Sequence, residues 1–390
     1  MFYGRFCLML LERYPFKKRE VLVTRLLFLC AGLATATWAS LIPVIKAHIG
    51  IDESTLGLLL LCLGAGAIFA MPVSGALATK YGCKRVLQLS TMMIIFCLPF
   101  FALVNSVASL ATLLVIFGLS IGATDCVMNI QAVLVEERSK LSLMSGFHGF
   151  YSLGGILGAG AVAMLLIAGF SAFEICMLMA AIVLLCLIFA KRDLLPFASP
   201  NEGPAFALPK GPVILIGIIC FAMFLAEGTV LDWSGIYLID YQNASTGMAA
   251  LGIFSFSVTM TLGRLFGDRI IAKHGQRTVL TISGLVASLG LIIAIVSMSF
   301  YVALFGYVLM GIGCANVVPI MFSAAGKQTY MSQATAIPAV TTFGYLGVLM
   351  GPASVGQIAH FSSLASALVV IAMLIALATI FSLFVKVSQD

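Results

Sequence analysis

The chain has 390 residues, of which 62% are hydrophobic and only 9% charged, where a water-soluble domain carries roughly 25%. That balance excludes a soluble fold, and the net charge of +6 is spread between apolar runs instead of gathered in one patch, which argues against nucleic-acid binding. The ten cysteines lie mostly singly inside apolar runs, with no CxxC pair and no Cys/His cluster, so they read as small buried hydrophobes and no metal site is expected.

In chain order, residues 1–20 form a basic lead-in expected in the cytoplasm; its apolar stretch Phe6–Leu11 is too short to span a bilayer. Apolar runs punctuated by Gly, Pro and charge then predict spans near 22–48, 55–78, 86–105, 109–135, 144–169 and 172–190, an N-terminal bundle over 21–190. Residues 191–211, KRDLLPFASPNEGPAFALPKG, are rich in Pro and polar groups and read as a cytoplasmic linker. Six more spans follow near 212–239, 247–272, 278–298, 301–325, 335–359 and 364–386, a C-terminal bundle over 212–386 before a short tail at 387–390. Of 21 basic residues, 19 fall on one side of these spans, Lys46 falls on the other, and Arg264 lies inside the eighth. The positive-inside rule therefore places both termini in the cytoplasm. The expected fold is an all-α membrane protein with twelve transmembrane helices in two pseudo-symmetric six-helix bundles.

The halves repeat one another weakly but in register. Ile121-Gly122-Ala123-Thr124-Asp125 matches Ile312-Gly313-Cys314-Ala315-Asn316, and Leu153-Gly154 with Gly158 matches Leu346-Gly347 with Gly351. The loop Lys80-Tyr81-Gly82-Cys83-Lys84 matches Lys273-His274-Gly275-Gln276-Arg277. Parallel repeats of this kind place a solute site between the halves, near the bilayer midplane.

With these loops, GRLFGDR at Gly263–Arg269 and GYLGVLMGP at Gly344–Pro352, the chain resembles the major facilitator superfamily over essentially its whole length. GATDCVMNIQA at 122–132, SGFHGFYSLGG at 145–155 and EGTVLDWSGIYL at 227–238 resemble its sugar–proton symporter branch, which includes fucose permease, and poorly characterised relatives of that branch. The resemblance implies a monomer that works by alternating access, a bacterial inner membrane as its location, and a small solute, protons and lipid as its partners. Two departures bear on mechanism. Thr79 stands where the superfamily usually places an aspartate, so only Asp268 could latch a loop to a helix. The first span lacks the acid of fucose permease and offers Thr35, Thr37, Trp38 and Ser40, so proton coupling would fall to Asp125 or Glu227.

Asp125 lies halfway along the fourth span, where a charge costs roughly 2.5–3.5 kcal/mol; it persists there if protonated, paired or facing a wet cavity. Asn129 shares its face one turn on, and Gln131 follows. Glu227 lies mid-span in the seventh helix, with Asp232 and Trp233 nearer its outer end. Trp38, Tyr151, Asn316 and Tyr345 complete the expected cavity, Trp38 either stacking on a solute or simply packing. His148 enters the fifth span from the cytoplasmic end as a gate or a satisfied helix-end residue. Arg264 and Asp268, one turn apart, form either a cytoplasmic gate or a local pair, and Lys84 and Arg85 are further gating candidates. No Lys or Arg occupies the middle of spans one, four, seven or ten, which favours a neutral or cationic solute.

No phosphate-binding loop, HExxH or GxSxG occurs, so neither a cofactor nor an enzyme is expected. The expected function is a proton-coupled secondary transporter of a neutral, sugar-like solute. The alternatives are a proton-driven exporter of drugs or metabolites and, more remotely, a membrane receptor on a transporter fold.

Overall fold

The computed structural model describes residues 16, 18–51, 53–198, 208–244 and 246–386. Most of the expected N-terminal segment, the middle of the linker at 199–207 and the tail at 387–390 lie outside the described residues. Regular structure among the described residues is wholly helical, as expected where lipid offers backbone groups no partners. Among the described residues, twelve helices are long and apolar enough to span a membrane: α1 (Lys18–Ile49), α2 (Glu53–Tyr81), α3 (Cys83–Phe100), α4 (Val107–Ser139), α5 (Met144–Ile167), α6 (Ala172–Ala190), α7 (Pro212–Gln242), α8 (Thr246–His274), α9 (Gln276–Val296), α10 (Phe300–Lys327), α11 (Gln333–Phe361) and α12 (Leu364–Ser382).

Three elements differ from the sequence reading. Helix α1 begins at Lys18, inside the expected lead-in, because Glu20 in its first turn is buried and pairs with Arg138 on α4 at 2.8 Å. Helix α3 stops at Phe100, one residue after Pro99, five residues short of the predicted edge. Helix α10 is broken at Ala315–Asn316 into Phe300–Cys314 and Val317–Lys327, where one continuous span is expected. The Ala315 carbonyl at that break accepts a hydrogen bond from Arg264 Nε at 3.3 Å.

Consecutive helices alternate in direction, so α1 starts and α12 ends at one end of the molecule, which also carries the basic loops. We call this the basic end and its opposite the outer end. At the outer end α4, α6 and α12 cap themselves: Ser106, Ser171 and Ser363 accept from the backbone N–H three residues on. At the basic end, α3 and α9 start from glycines of matching geometry, Gly82 at φ 83°, ψ 155° and Gly275 at φ 78°, ψ 151°. The sequence repeat is thus a backbone repeat as well.

Helices α1–α6 and α7–α12 form the two bundles, which meet through α5 against α8, α2 against α11, and the second part of α10 against α4 and α5. The buried core shows where they join. One cluster runs from the second half into the basic end of the first, taking in Phe28, Val133 and Phe147. The outer part of the first half has a separate core around Trp38, Phe101, Phe117 and Ile121. The halves are sealed at the basic end and share no core at the outer end.

Candidate functional site between the halves

Two carboxyl groups approach the centre of the molecule, one in each half, and their surroundings differ. Asp125 sits midway along α4, partly exposed, and its carboxylate makes no hydrogen bond or ion pair among the described residues. Tyr151 of α5 lies within electrostatic reach of it and faces the Thr35 hydroxyl of α1. Tyr345 of α11 comes from the other half and interacts with both Asp125 and Tyr151. Asn129 donates its amide to the Asp125 backbone carbonyl at 2.9 Å, which leaves its buried Oδ1 without a partner. Asp125, Thr35, Asn129, Tyr151 and Tyr345 therefore gather four helices around one acid.

Glu227 of α7 is buried and held by Arg264 of α8, whose Nη2 lies 2.9 Å and 3.2 Å from its two oxygens. Arg264 Nη1 also donates to Ser152 Oγ of α5 at 3.0 Å, so one guanidinium touches both halves. The expected local pair of Arg264 with Asp268 does not form. Both lie on one face of α8, but Arg264 turns to the centre, where a buried carboxylate offers charge-assisted bonds, and Asp268 turns to the seam. Arg264 also places a cation at the centre that a survey of spans one, four, seven and ten misses, although Glu227 neutralises it.

The basic-end seam is built on the start of α5. Four N–H groups of a helix's first turn lack intrahelical partners, and no side chain caps this one from the N-cap position at Leu143. Two acids from elsewhere do so. Glu136 of α4 accepts from Leu143 and Met144 at 2.8 and 2.9 Å, and Asp268 of α8 accepts from Gly146 at 3.0 Å. The partial positive charge of the helix start favours both. Glu136 also accepts from Ser323 of α10, and Gln333 of α11 donates to Glu137 at 2.6 Å. His148 is buried nearby between Phe28 and Phe322, at 5.2 and 5.6 Å between ring centroids, with Nε2 unpartnered. Phe322 belongs to the second half, so the ring lies within the seam.

The remaining predicted residues sit elsewhere. Gln131 is fully buried inside the first half, donating to Thr24 at 3.0 Å and accepting from the Leu195 N–H at 3.2 Å. Trp38 packs on Phe101 with ring centroids 4.3 Å apart. Lys84 and Arg85 start α3, where the Lys84 N–H donates to Leu195 of the linker at 2.7 Å; neither lies at the α5–α8 seam. Asp232 is exposed nearer the outer end of α7, and Trp233 packs beside Gly356 of α11 with its indole N–H unpartnered. Asn316, at the α10 break, is buried with Oδ1 unpartnered.

Sequence reasoning missed Glu136, Glu137, Ser152, Ser323 and Gln333. A usable signal existed for the first: adjacent acids precede the four-residue loop at 140–143 and a helix start with no capping side chain of its own.

The chain is similar to known proteins over most of its length. A family model described as Major Facilitator Superfamily matches residues 26–256. An uncharacterized MFS-type transporter of Yersinia pestis is 45% identical over 353 residues, covering 90% of this chain and 92% of its own. An uncharacterized transporter of Sinorhizobium fredii is 30% identical over 363 residues, covering 92% and 96%. Among solved structures, the fucose:proton symporter FucP of E. coli, in its outward conformation, superposes with a TM-score of 0.80 at 16% identity, over 94% of this chain and 99% of FucP. At that identity the likeness is one of fold.

Proposed function

The chain belongs to the major facilitator superfamily, and we propose that it is a proton-coupled transporter that moves a small neutral, sugar-like solute by alternating access, with Asp125 taking the proton. The observation that carries this reading is the unpaired state of Asp125 at mid-membrane, faced by Tyr151 from its own half and Tyr345 from the other. An ionised carboxylate enclosed there would carry a charge through the apolar core as the halves rock. A bound proton removes that charge and lets the closed states interconvert. Glu227 is a weaker proton site because Arg264 already neutralises it. The basic end is cytoplasmic by its excess of Lys and Arg, so the state described here is closed to the cytoplasm. The hydroxyls of Tyr151, Tyr345 and Thr35, with the free Oδ1 of Asn129, suit a neutral polyhydroxylated ligand.

A thermal-shift screen of the purified protein against monosaccharides, nucleosides and lipophilic cations, at acidic and neutral pH, identifies a ligand, because one bound only by the folded state raises apparent stability. In proteoliposomes an acid-outside gradient should then accumulate that solute. Asp125→Asn should abolish accumulation while leaving solute exchange at equilibrium intact. Undiminished accumulation in Asp125→Asn overturns the coupling assignment, and thermal shifts confined to lipophilic cations overturn the neutral-solute reading.

A further inference from the structure

Glycines at helix contacts fall into two groups according to what a Cβ would meet. Inside each half they let helices of one bundle approach: a Cβ on Gly154 would overlap the Leu29 carbonyl of α1, and one on Gly118 the Leu63 carbonyl of α2. Such contacts persist in every state of a rocking transporter because the bundles move as bodies. A second group meets the opposite half: Gly64 of α2 faces only the flexible Leu349 side chain of α11 and Gly146 of α5 chiefly the Asp268 carboxylate, while the others face firmer atoms. A Cβ on Gly75 of α2 would lie 2.5 Å from Pro338 Cγ and 2.8 Å from the Ala334 carbonyl, both on α11. On Gly149 of α5 it would lie 3.0 Å from the Leu265 backbone nitrogen of α8. On Gly326 of α10 it would overlap Val133 Cγ1 of α4, whereas on Gly267 of α8 it would first overlap Asn316 Oδ1 of its own half, with Ser145 Cβ of α5 2.7 Å away.

Gly75, Gly149 and Gly326 all belong to the basic-end half of their helices, and the atoms they face include backbone and a β-branched side chain, which cannot swing aside. We propose that Gly75, Gly149 and Gly326 are positioning residues for transport: their missing Cβ atoms set how closely the halves seal at the basic end, and hence the balance between the two open states. Adding a methyl group to any of them raises the free energy of the sealed state only, since the overlap disappears when the halves part. Overpacking of this size shifts a two-state ratio by about tenfold or more. A methyl on the intra-half glycines strains both states equally and shifts nothing. The proposal rests on the alternating-access reading above.

The test is hydrogen–deuterium exchange of the full chain in nanodiscs, with unfolding temperature measured alongside. For Gly75→Ala, Gly149→Ala and Gly326→Ala, amides in 143–152 and 317–338 should exchange faster while those in the outer parts of α5 and α8 exchange more slowly, with little change in unfolding temperature. Val133→Ala in the Gly326→Ala background removes the overlapping methyl and should restore the original pattern, which a mere change in helix propensity would not do. Gly118→Ala and Gly154→Ala should lower the unfolding temperature without opposite changes at the two ends. Seam variants that only lose stability, or that leave both readouts unchanged, overturn the proposal. Asp268→Asn serves as an independent perturbation of the seam. Opposite changes there but not in the glycine variants would sink the glycine assignment alone, and their absence in every variant would sink alternating access itself.

Discussion

In the second half of the molecule a buried acid is matched by a base, Glu227 with Arg264 at 2.9 Å. In the first half the Asp125 carboxylate, at comparable depth, has no counter-charge among the described residues and faces the Tyr151 and Tyr345 hydroxyls. The repeat register explains the contrast. Aligning Lys80 with Lys273 sets Met71 opposite Arg264 and Gly75 opposite Asp268, and the α4–α10 match sets Asp125 opposite Asn316. The first half has therefore kept an acid where the second has an amide, and lacks both charged groups that the second carries on α8. A paired charge is a fixed part of the framework, since breaking the pair strands its partner in a low dielectric. An unpaired acid is free to bind something else. The seam repeats the asymmetry: α8 sends Asp268 to cap α5, while α2 offers Gly75 to α11 and makes its contact by close packing.

Arg264→Gln tests this contrast most severely. It leaves Glu227 buried without a counter-charge, so stability should fall by roughly 3–5 kcal/mol, as for other buried pairs broken on one side. Adding Glu227→Gln should restore much of it in thermal unfolding. A loss no larger than that of Asp125→Asn would remove the distinction between the halves.

The next effect compares the two repeat loops. Alanine at Gly82 or Gly275 must adopt a backbone region essentially confined to glycine, at about 1–3 kcal/mol. At Gly82 the new Cβ would also overlap the Pro196 carbonyl of the linker and lie 2.5 Å from its carbonyl carbon, whereas at Gly275 it meets open space. Gly82→Ala should thus be the more destabilising and should raise proteolysis within 191–211; equal costs would mean that the linker contact contributes nothing.

Asp268→Asn keeps a capping oxygen but loses the charge, so it should weaken the basic-end seal by about 1 kcal/mol. That is read as faster exchange of the α5 start with a small fall in unfolding temperature. The smallest stability effect belongs to Asp125→Asn, within about 0.5 kcal/mol because no partner is stranded, despite the expected loss of proton-driven accumulation. A large destabilisation would reveal an ionic role for Asp125 that its surroundings do not suggest.

Much of this architecture was legible beforehand. The spans were readable because lipid forces each crossing to be a continuous apolar helix. The repeat was readable because glycines at equivalent turns and close approaches survive as letters. The break in α10 was not, since Asn316 within an apolar run carries no punctuation of its own; its neighbour's carbonyl is engaged by an arginine distant in sequence. Asp125 was legible as a costly intramembrane acid, and Tyr151 and Tyr345 as polar groups on glycine-rich helices. Gln131 was misplaced toward the cavity because two residues beyond Asn129 on a helix is a different face, and its partners, Thr24 and Leu195, lie in other segments.

By itself, then, the sequence determined the class, the number of crossings, the side bearing the basic loops and which acids lie in the membrane, because each follows from what a local stretch of chain can do in lipid or at its edge. The tertiary structure alone decided which acid is paired, which is free, and which end is sealed. Those outcomes depend on side chains from different helices meeting within about 3 Å, the range over which hydrogen bonds and desolvated charges act, and no local pattern of residues encodes such a meeting.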